Sequence, residues 1–131
     1  NDNTRPIIAY CWSEIENYSR IGKYTGNDSS NGSFIYCGFK PAFVMTKRFD
    51  TGGTSNWLIH DFSRDPVNPV MGTIWGNLNN IEGRSNVIID MLSNGFKHRN
   101  GDGGTGNNRG LPAEYIFTAF AESPFQTANA K

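Results

Sequence analysis

Two histidines and a few carboxylates are the side chains of this sequence that could carry out acid–base chemistry. His60 stands directly before Asp61, and these residue types commonly serve in general acid–base catalysis. Adjacent residues of a strand point to opposite faces, so the two side chains would not share a site. Neither His60 nor His98 is accompanied by a Gly-x-Ser-x-Gly or comparable nucleophile motif. The pattern therefore predicts structural histidines and no enzyme.

Two further acidic patterns could point to a glycosidase or to a metal site. Glu14 and Glu16 would share one face of a strand, but a glycosidase needs its carboxyl groups across a cleft, and no cleft is marked here. We expect both to be solvated surface carboxylates. The segment around Asn100 and Asp102 faintly resembles a calcium loop, but its one carboxylate is too few for the about six to eight oxygens that calcium takes. No metal and no cofactor is predicted.

Aromatic residues make up 13% of the chain and offer a third kind of chemistry, stacking against a sugar ring. Trp12, Trp57, Trp75 and the tyrosines could form such a platform. Aromatic side chains bury a large area, however, and a small domain fills its interior with them. We therefore expect most of these rings to lie in the core.

Loops rich in glycine and asparagine remain as candidate binding or assembly surfaces. Three of them, at 26–33, 50–56 and 100–110, carry side chains that favour turns and local backbone bonds. We expect the third to be exposed and mobile. The candidate residues in these loops are Asn27, Asp28, Asn31, Asn56, Asn100, Asp102, Asn107, Asn108 and Arg109.

Short alternating segments between the loops predict β-strands. The segment 42–49 alternates and, with 57–62, predicts a hairpin. The segments 87–92 and 96–99 flank a Ser-Asn-Gly turn and predict a second hairpin. The segment 114–122 has apolar residues on both faces, which predicts a central strand covered on both sides. The succession of short strands separated by turn-rich loops is typical of an all-β, antiparallel sandwich or barrel.

Other segments give weaker signals. Residues 7–12 are apolar and predict a first strand, after which 13–19 fits either a strand extension or a short helical turn. Residues 79–86 are polar and could hold one helical turn. Cys11 and Cys37 allow one disulfide at most, too few for a disulfide scaffold, and we expect buried free thiols.

Length and charge set the remaining limits. With 131 residues the chain is expected to form a single domain over 1–131, with flexible tails at 1–6 and 126–131. Twelve basic residues balance twelve acidic ones, and the absence of a basic stripe argues against nucleic acid as a partner. No apolar run is long enough to predict a membrane span.

Five ordered motifs between about Ala9 and Phe125 give the chain a specific resemblance. They are Ala9-Tyr-Cys-Trp with Asn17-Tyr-Ser-Arg-Ile-Gly-Lys-Tyr-Thr-Gly-Asn27, Gly38-Phe-Lys-Pro-Ala-Phe-Val-Met-Thr-Lys-Arg48, Asn56-Trp-Leu-Ile-His-Asp61, Leu92-Ser-Asn-Gly-Phe-Lys97 and Ala119-Phe-Ala-Glu-Ser-Pro-Phe125. The chain resembles a group of bacteriophage virion proteins that is frequent in marine phage genomes. The resemblance implies an antiparallel β-sandwich of the SPRY or concanavalin A-like, jelly-roll type.

The same resemblance implies a function. We expect a non-enzymatic virion structural protein, either a capsid-decorating or head-fibre domain or a tail appendage, assembled in the host cytoplasm. Its partners would be other virion proteins and further copies of itself in a homo-oligomer. The alternative is a carbohydrate- or receptor-binding adhesin module of a tail fibre. One departure from similar sequences is the loop at 100–110, which is expanded from a shorter Asn-Xaa-Ser-Gly-type turn.

Overall fold

The computed structural model describes residues 9–50, 55–99, 108 and 113–124, with the side chains of 85–87 left aside. This part of the chain contains eight strands. They are β1 (Ser19–Gly26), β2 (Phe34–Tyr36), β3 (Pro41–Arg48), β4 (Leu58–Asp61), β5 (Val70–Trp75), β6 (Gly83–Leu92), β7 (Gly95–His98) and β8 (Ala113–Ala121). All paired neighbours run antiparallel, in the order β1-β8-β3-β4-β5-β6-β7-β2. The predicted all-β antiparallel fold is confirmed.

The sheet curls until its two edge strands, β1 and β2, nearly meet. These strands are consecutive in the chain, and at the end where the loop 27–33 joins them the Ser33 hydroxyl donates to the Thr25 carbonyl over 2.7 Å. Inside, the Tyr24 ring of β1 stacks on the His98 ring of β7 at 5.0 Å between centroids. The result is a nearly closed sheet, consistent with a β-sandwich or barrel.

The strongest sequence signals are confirmed. Pro41 begins β3, which pairs with β4 in a hairpin whose register sets Phe43 opposite Asp61. Strands β6 and β7 form the second predicted hairpin, closed by Leu92 opposite Gly95. Strand β8 lies between β1 and β3, so it is central as predicted.

Two segments differ from prediction. Residues 9–12 of the predicted first strand are irregular, because the outer edge of β1 that they would pair with is taken by Ile15, which bridges Ser19. Residues 79–82 form no helical turn, and β6 begins at Gly83. Ile81 is 89% exposed there, so a helix would have no apolar surface to pack against. The predicted tails, 1–6 and 126–131, lie outside the described residues.

The core is built from one face of nearly every strand. Its buried apolar cluster consists of Ile35, Cys37, Phe39, Val44, Val70, Ile89, Met91, Phe96, Phe117 and Ala119. Both histidines are fully buried on this inner side. The Nε2 atom of His60 lies 3.3 Å from the Thr73 hydroxyl, while Asp61 points away and its Oδ1 accepts the Ser63 N–H. His60 and Asp61 therefore do not form a site together.

Two expectations about the core are wrong. Trp12 is exposed, and Trp57 and Trp75 are only half-buried. Both cysteines are free, and Cys37 is buried as expected, but Cys11 is exposed on the irregular segment before β1.

Candidate functional site

The outer face of the β3–β4 hairpin carries an open groove lined by apolar and aromatic side chains. This aromatic groove has a volume of about 580 Å³. Its lining residues are Tyr10, Trp12, Met45, Trp57, Ile59 and Gly76. The floor comes from β3 and β4, where Met45 and Ile59 are cross-strand partners. Their strand neighbours Val44 and His60 are fully buried, so alternation turns Met45 and Ile59 outward.

One wall of the groove is a pair of stacked rings. Tyr10 and Trp12 lie 6.1 Å apart between ring centroids, with their planes only 11° from parallel. Trp12 also contacts the edge of Phe120 on β8 at 6.4 Å, which anchors the irregular segment to the sheet. Tyr10 is 75% and Trp12 47% exposed, so the pair presents aromatic surface to solvent.

Trp57 forms the other side and is held at both backbone groups. Its N–H donates to Oδ1 of Asn77 over 2.9 Å, and its carbonyl accepts the N–H of Gly76 over 3.0 Å. Lys47 sets its ammonium group 5.4 Å from the Trp57 ring centroid and donates to the Ser55 carbonyl over 2.7 Å. The cation–π contact and the hydrogen bonds fix the Trp57 ring without help from a ligand.

The residues that line the groove are uncharged. None of these six residues carries a formal charge, and the nearby Lys47 ammonium is directed to the Trp57 ring and the Ser55 carbonyl. A surface of this kind binds by stacking and apolar burial, with a few neighbouring polar groups giving orientation. The six described lining residues include no carboxylate and no histidine.

Four of the residues predicted as loop binding residues make hydrogen bonds within the fold. Asn108 was expected in an exposed loop, but it is fully buried. Its Nδ2 donates to Asn27 Oδ1 and to the Ser29 carbonyl, and its Oδ1 accepts the Asn27 N–H. The Asp28 N–H donates to the Asn108 carbonyl over 3.0 Å, and Oδ1 of Asn31 accepts from Lys97 over 2.7 Å. The polar groups of the loop 27–33 thus form hydrogen bonds with Asn108 and with Lys97 of β7.

Asn56 is the predicted residue that lies beside the aromatic groove. Its Oδ1 accepts a hydrogen bond from Asn77 Nδ2 over 3.0 Å, next to Trp57. The amides of Asn56 and Asn77 therefore form a polar rim. The other predicted residues lie outside the described part of the chain, namely Asn100, Asp102, Asn107 and Arg109.

A second, smaller cleft of about 330 Å³ opens between β1 and β2 and has polar walls that include both glutamates of the predicted pair. Glu14 and Glu16 are exposed, as expected, and lie on a turn. Glu14 accepts the Ile21 N–H over 3.0 Å and lies 3.5 Å from Nε of Arg20. Its carboxylate therefore satisfies a backbone N–H group at the outer edge of β1.

Two further kinds of site, a metal centre and a membrane span, concern the described ranges only. No group of three or more His, Cys, Asp or Glu side chains there is placed to hold a metal ion. No helix in those ranges has the length and apolar character needed to cross a membrane.

Comparison with known proteins gives a family without an assigned function. A family profile described as a domain of unknown function, DUF7483, matches residues 1–124. The chain belongs to the DUF7483 family. No curated protein and no solved structure matches it significantly. For this DUF7483 domain the groove geometry is therefore the main guide to function.

The sequence held one signal for the groove that the loop-based prediction missed. Strands β3 and β4 of this DUF7483 domain carry apolar residues on both faces, with Met45 and Ile59 on the outer one. A strand that is apolar on both faces has either a second layer or an exposed apolar surface. The position of Tyr10 and Trp12 could not be predicted from strand alternation, because their segment is not a strand.

Proposed function

We propose that the chain is a non-enzymatic structural domain of a bacteriophage virion that binds other virion proteins through the aromatic groove. The observation that carries the proposal is the outward placement of Tyr10, Trp12 and Trp57 around Met45 and Ile59 of the sheet. The five sequence motifs supply the class of protein. The finer assignment of the nearly closed sheet to the SPRY or concanavalin A-like sandwich belongs to the same proposal, as does a place on the head or the tail of the virion.

The exposed aromatic area is large enough to matter for assembly. At 75% and 47% exposure, Tyr10 and Trp12 leave roughly 250 Å² of surface in water. Burying that surface is worth about 6 kcal/mol gross at ~25 cal/mol per Å², before the cost of association is subtracted. Because the rings are already held by Phe120 and by each other, little side-chain order has to be created on binding.

The rim gives a second candidate, a carbohydrate-binding module of a tail fibre. The nearly parallel Tyr10 and Trp12 rings and the uncharged lining suit a neutral sugar. The amides of Asn56 and Asn77 lie next to Trp57, where they could orient hydroxyl groups. Assembly remains the first candidate because Met45 and Ile59 add apolar surface. A protein partner can bury this surface with its own apolar side chains, which a sugar lacks.

The test is virion incorporation with matched variants. An antibody against the chain should label intact phage particles in electron micrographs, and Trp12→Ala or Trp57→Ala should reduce incorporation at least tenfold. Ile81→Ala is the control, because Ile81 is exposed but is not one of the residues that line the groove. Particles that carry no label would refute the proposal.

A parallel glycan array separates the two candidates. Binding of a neutral glycan that is lost in Trp57→Ala and kept in Ile81→Ala would favour the carbohydrate module. Labelled virions without glycan binding would favour assembly.

A further inference from the structure

The wall of the aromatic groove that carries Tyr10 and Trp12 belongs to the segment 9–14, which precedes β1. This segment is not part of the sheet, and in the described part of the chain no backbone–backbone hydrogen bond reaches it. Met45 and Ile59 on the floor, by contrast, are fixed by the pairing of β3 with β4. The shape of the groove therefore depends on what attaches the segment 9–14 to the sheet.

Apolar packing beneath this segment is sparse. A cavity of about 470 Å³ is lined by Cys11, Trp12 and Ser13 on one side and by residues of β1, β8 and the turn before β1 on the other. Because protein interiors are normally packed without voids of this size, few van der Waals contacts hold the segment here. The edge-on contact between Trp12 and Phe120 is thus supplemented by polar contacts.

The Ser19 hydroxyl supplies the polar contact closest in sequence to Trp12. It donates to the Ser13 carbonyl over 2.7 Å and accepts the Ile15 N–H over 3.0 Å. Ser19 is buried at 3% exposure, so water competes little for these bonds. Because Ser13 follows Trp12 directly, the bond to its carbonyl holds the backbone one residue away from the Trp12 ring.

A second polar contact joins the segment to β1 but is exposed. Oε1 of Glu14 accepts the Ile21 N–H over 3.0 Å and lies 3.5 Å from Nε of Arg20. The Glu14 and Arg20 side chains are both about half exposed, and ion pairs at such positions contribute little to stability. The Ser19 hydroxyl is therefore the main polar attachment of the groove wall.

The turn between the segment and β1 does not depend on the Ser19 side chain. The Tyr18 and Ser19 N–H groups both donate to the Ile15 carbonyl, over 3.0 and 2.9 Å. The Ile15 N–H also reaches the Ser19 carbonyl over 3.2 Å. Loss of the Ser19 hydroxyl therefore leaves the turn and the pairing of β1 with β8 in place, and it releases only the residues before Ile15.

We propose that Ser19 is a positioning residue of the aromatic groove, whose hydroxyl latches the segment 9–14 onto the sheet and so forms the Tyr10–Trp12 wall. When the latch opens, the wall is lost while the sheet stays folded. A ligand that stacks on these rings binds the attached form, so binding and latching stabilise each other. The role of the wall in binding rests on the function proposed above, whereas its attachment through Ser19 does not.

Heteronuclear NMR of the full chain tests the latch through the three tryptophan indole N–H groups. With the Trp12 signal identified by its loss in Trp12→Phe, we expect a rigid indole in the wild type and a mobile one in Ser19→Ala. The loss of one hydrogen bond should raise the ratio of detached to attached molecules about fivefold. The indole of Trp75, which is not among the residues lining the groove, should keep its wild-type order.

Two comparisons separate the hydroxyl from a general loosening of the fold. Ser19→Thr and Ser19→Val introduce side chains of nearly the same shape, of which only the first can donate to the Ser13 carbonyl. Ser19→Thr should keep Trp12 rigid and Ser19→Val should release it, which decides the question even where Ser19→Ala does not fold. Ser33→Ala removes a hydroxyl–carbonyl bond of the same 2.7 Å length, to Thr25 near the other end of β1, and should leave Trp12 rigid.

Equal order of the Trp12 indole in folded Ser19→Thr and Ser19→Val chains overturns the proposal, as does a mobile Trp12 indole in the folded wild type. Release of Trp12 by Ser33→Ala to the same extent as by Ser19→Val also overturns it, because the loosening is then general. In the virion assay, Ser19→Val should lower incorporation by up to about fivefold and Ser19→Thr should not. Particles without any label refute the proposed function, while the NMR comparison on the isolated chain still decides the latch.

Discussion

The amides of Asn27 and Asn108 hold each other across the end of the sheet. Nδ2 of Asn108 donates to Oδ1 of Asn27 over 2.8 Å, and the Asn27 N–H donates to Oδ1 of Asn108 over 3.1 Å. Asn27 follows β1, and Asn108 stands between β7 and β8 in sequence, so the pair ties two distant parts of the chain. Asn108 is fully buried, which makes its hydrogen bonds part of the interior.

Asn108→Asp is predicted to be strongly destabilising. The substitution keeps the shape but removes the donors to Asn27 and to the Ser29 carbonyl, and it places a carboxylate in a fully buried position. Loss of buried partners together with burial of a charge is expected to cost about 3 kcal/mol or more. Urea unfolding measures it through the midpoint at constant slope.

Asn31→Asp is the matched control, since Asn31 is exposed and lies in the loop 27–33, to which Asn108 donates a hydrogen bond. Its Oδ1 accepts from Lys97, and a carboxylate can do the same. We expect a change within about 0.5 kcal/mol. Equal effects of the two substitutions would show that the buried pair is not what holds the loop.

Local sequence patterns were sufficient to predict the strands. The features that the sequence did not predict depend on contacts between residues far apart in the chain. Alternation and the Asn94-Gly95 turn gave both hairpins correctly, because register and turn chemistry are properties of neighbouring residues. The burial of Asn108 depends on Asn27, eighty-one positions away, and no local pattern encodes that contact. The predicted strand at Tyr10 and Trp12 does not form for a similar reason. Ile15 bridges Ser19 and so occupies the outer edge of β1 at this point.

Asp65 is predicted to stabilise the irregular start of β5. Its Oδ2 accepts the N–H groups of Met71 and Gly72 at 3.0 Å each, where the pairing with β6 shifts register. Its Oδ1 lies 3.3 Å from Arg84. Asp65→Asn weakens these charge-assisted bonds, and we expect a loss of about 2 kcal/mol at pH 7 by urea unfolding. Glu122→Gln, at an exposed ion pair with Lys40, should change stability by less than about 0.5 kcal/mol.

The Asp65 contribution should depend on pH with a defined sign. The N–H groups of Met71 and Gly72, and then Arg84, lower the pKa of this carboxyl below its ordinary 3.8. A lowered folded-state pKa means that the stabilisation is complete above the unfolded value and is lost as the pH falls through the folded one. The difference between wild type and Asp65→Asn should therefore be constant from pH 7 to about 5 and shrink below about 4. A difference that grows on acidification would contradict this assignment.

The two cysteines are predicted to differ in reactivity. Burial raises the pKa of the Cys37 thiol to about 12, whereas Cys11 is exposed. Thiolate is the reactive form, so at pH 8 Cys37 presents it in only about one molecule in 10⁴. Ellman's reagent should label one thiol quickly in the native chain and the second only on unfolding. Cys11→Ser should abolish the fast phase, and a fast phase that survives this substitution would place the accessible thiol at Cys37.

Gly95 is predicted to be indispensable for docking β2, because a Cβ atom there would lie 2.1 Å from the Ile35 carbonyl oxygen. Neither backbone can move away without breaking the β2–β7 ladder, so we expect Gly95→Ala to cost about 3 kcal/mol or more. Gly38 is the matched comparison. Its φ of +86° strains any other residue, but its nearest neighbour would be 3.7 Å away, which limits the cost of Gly38→Ala to about 1–2 kcal/mol.

Hydrogen exchange distinguishes local from global effects of Gly95→Ala. The Cys37 N–H donates to the Asn94 carbonyl at the end of this ladder, and its protection should fall furthest in the variant. The Val44 amide, in central β3, reports global unfolding and should lose protection only by the overall change in stability. If Gly95→Ala and Gly38→Ala lower stability equally, strain at positive φ outweighs the steric contact, and the close approach of β2 to β7 is not what requires glycine.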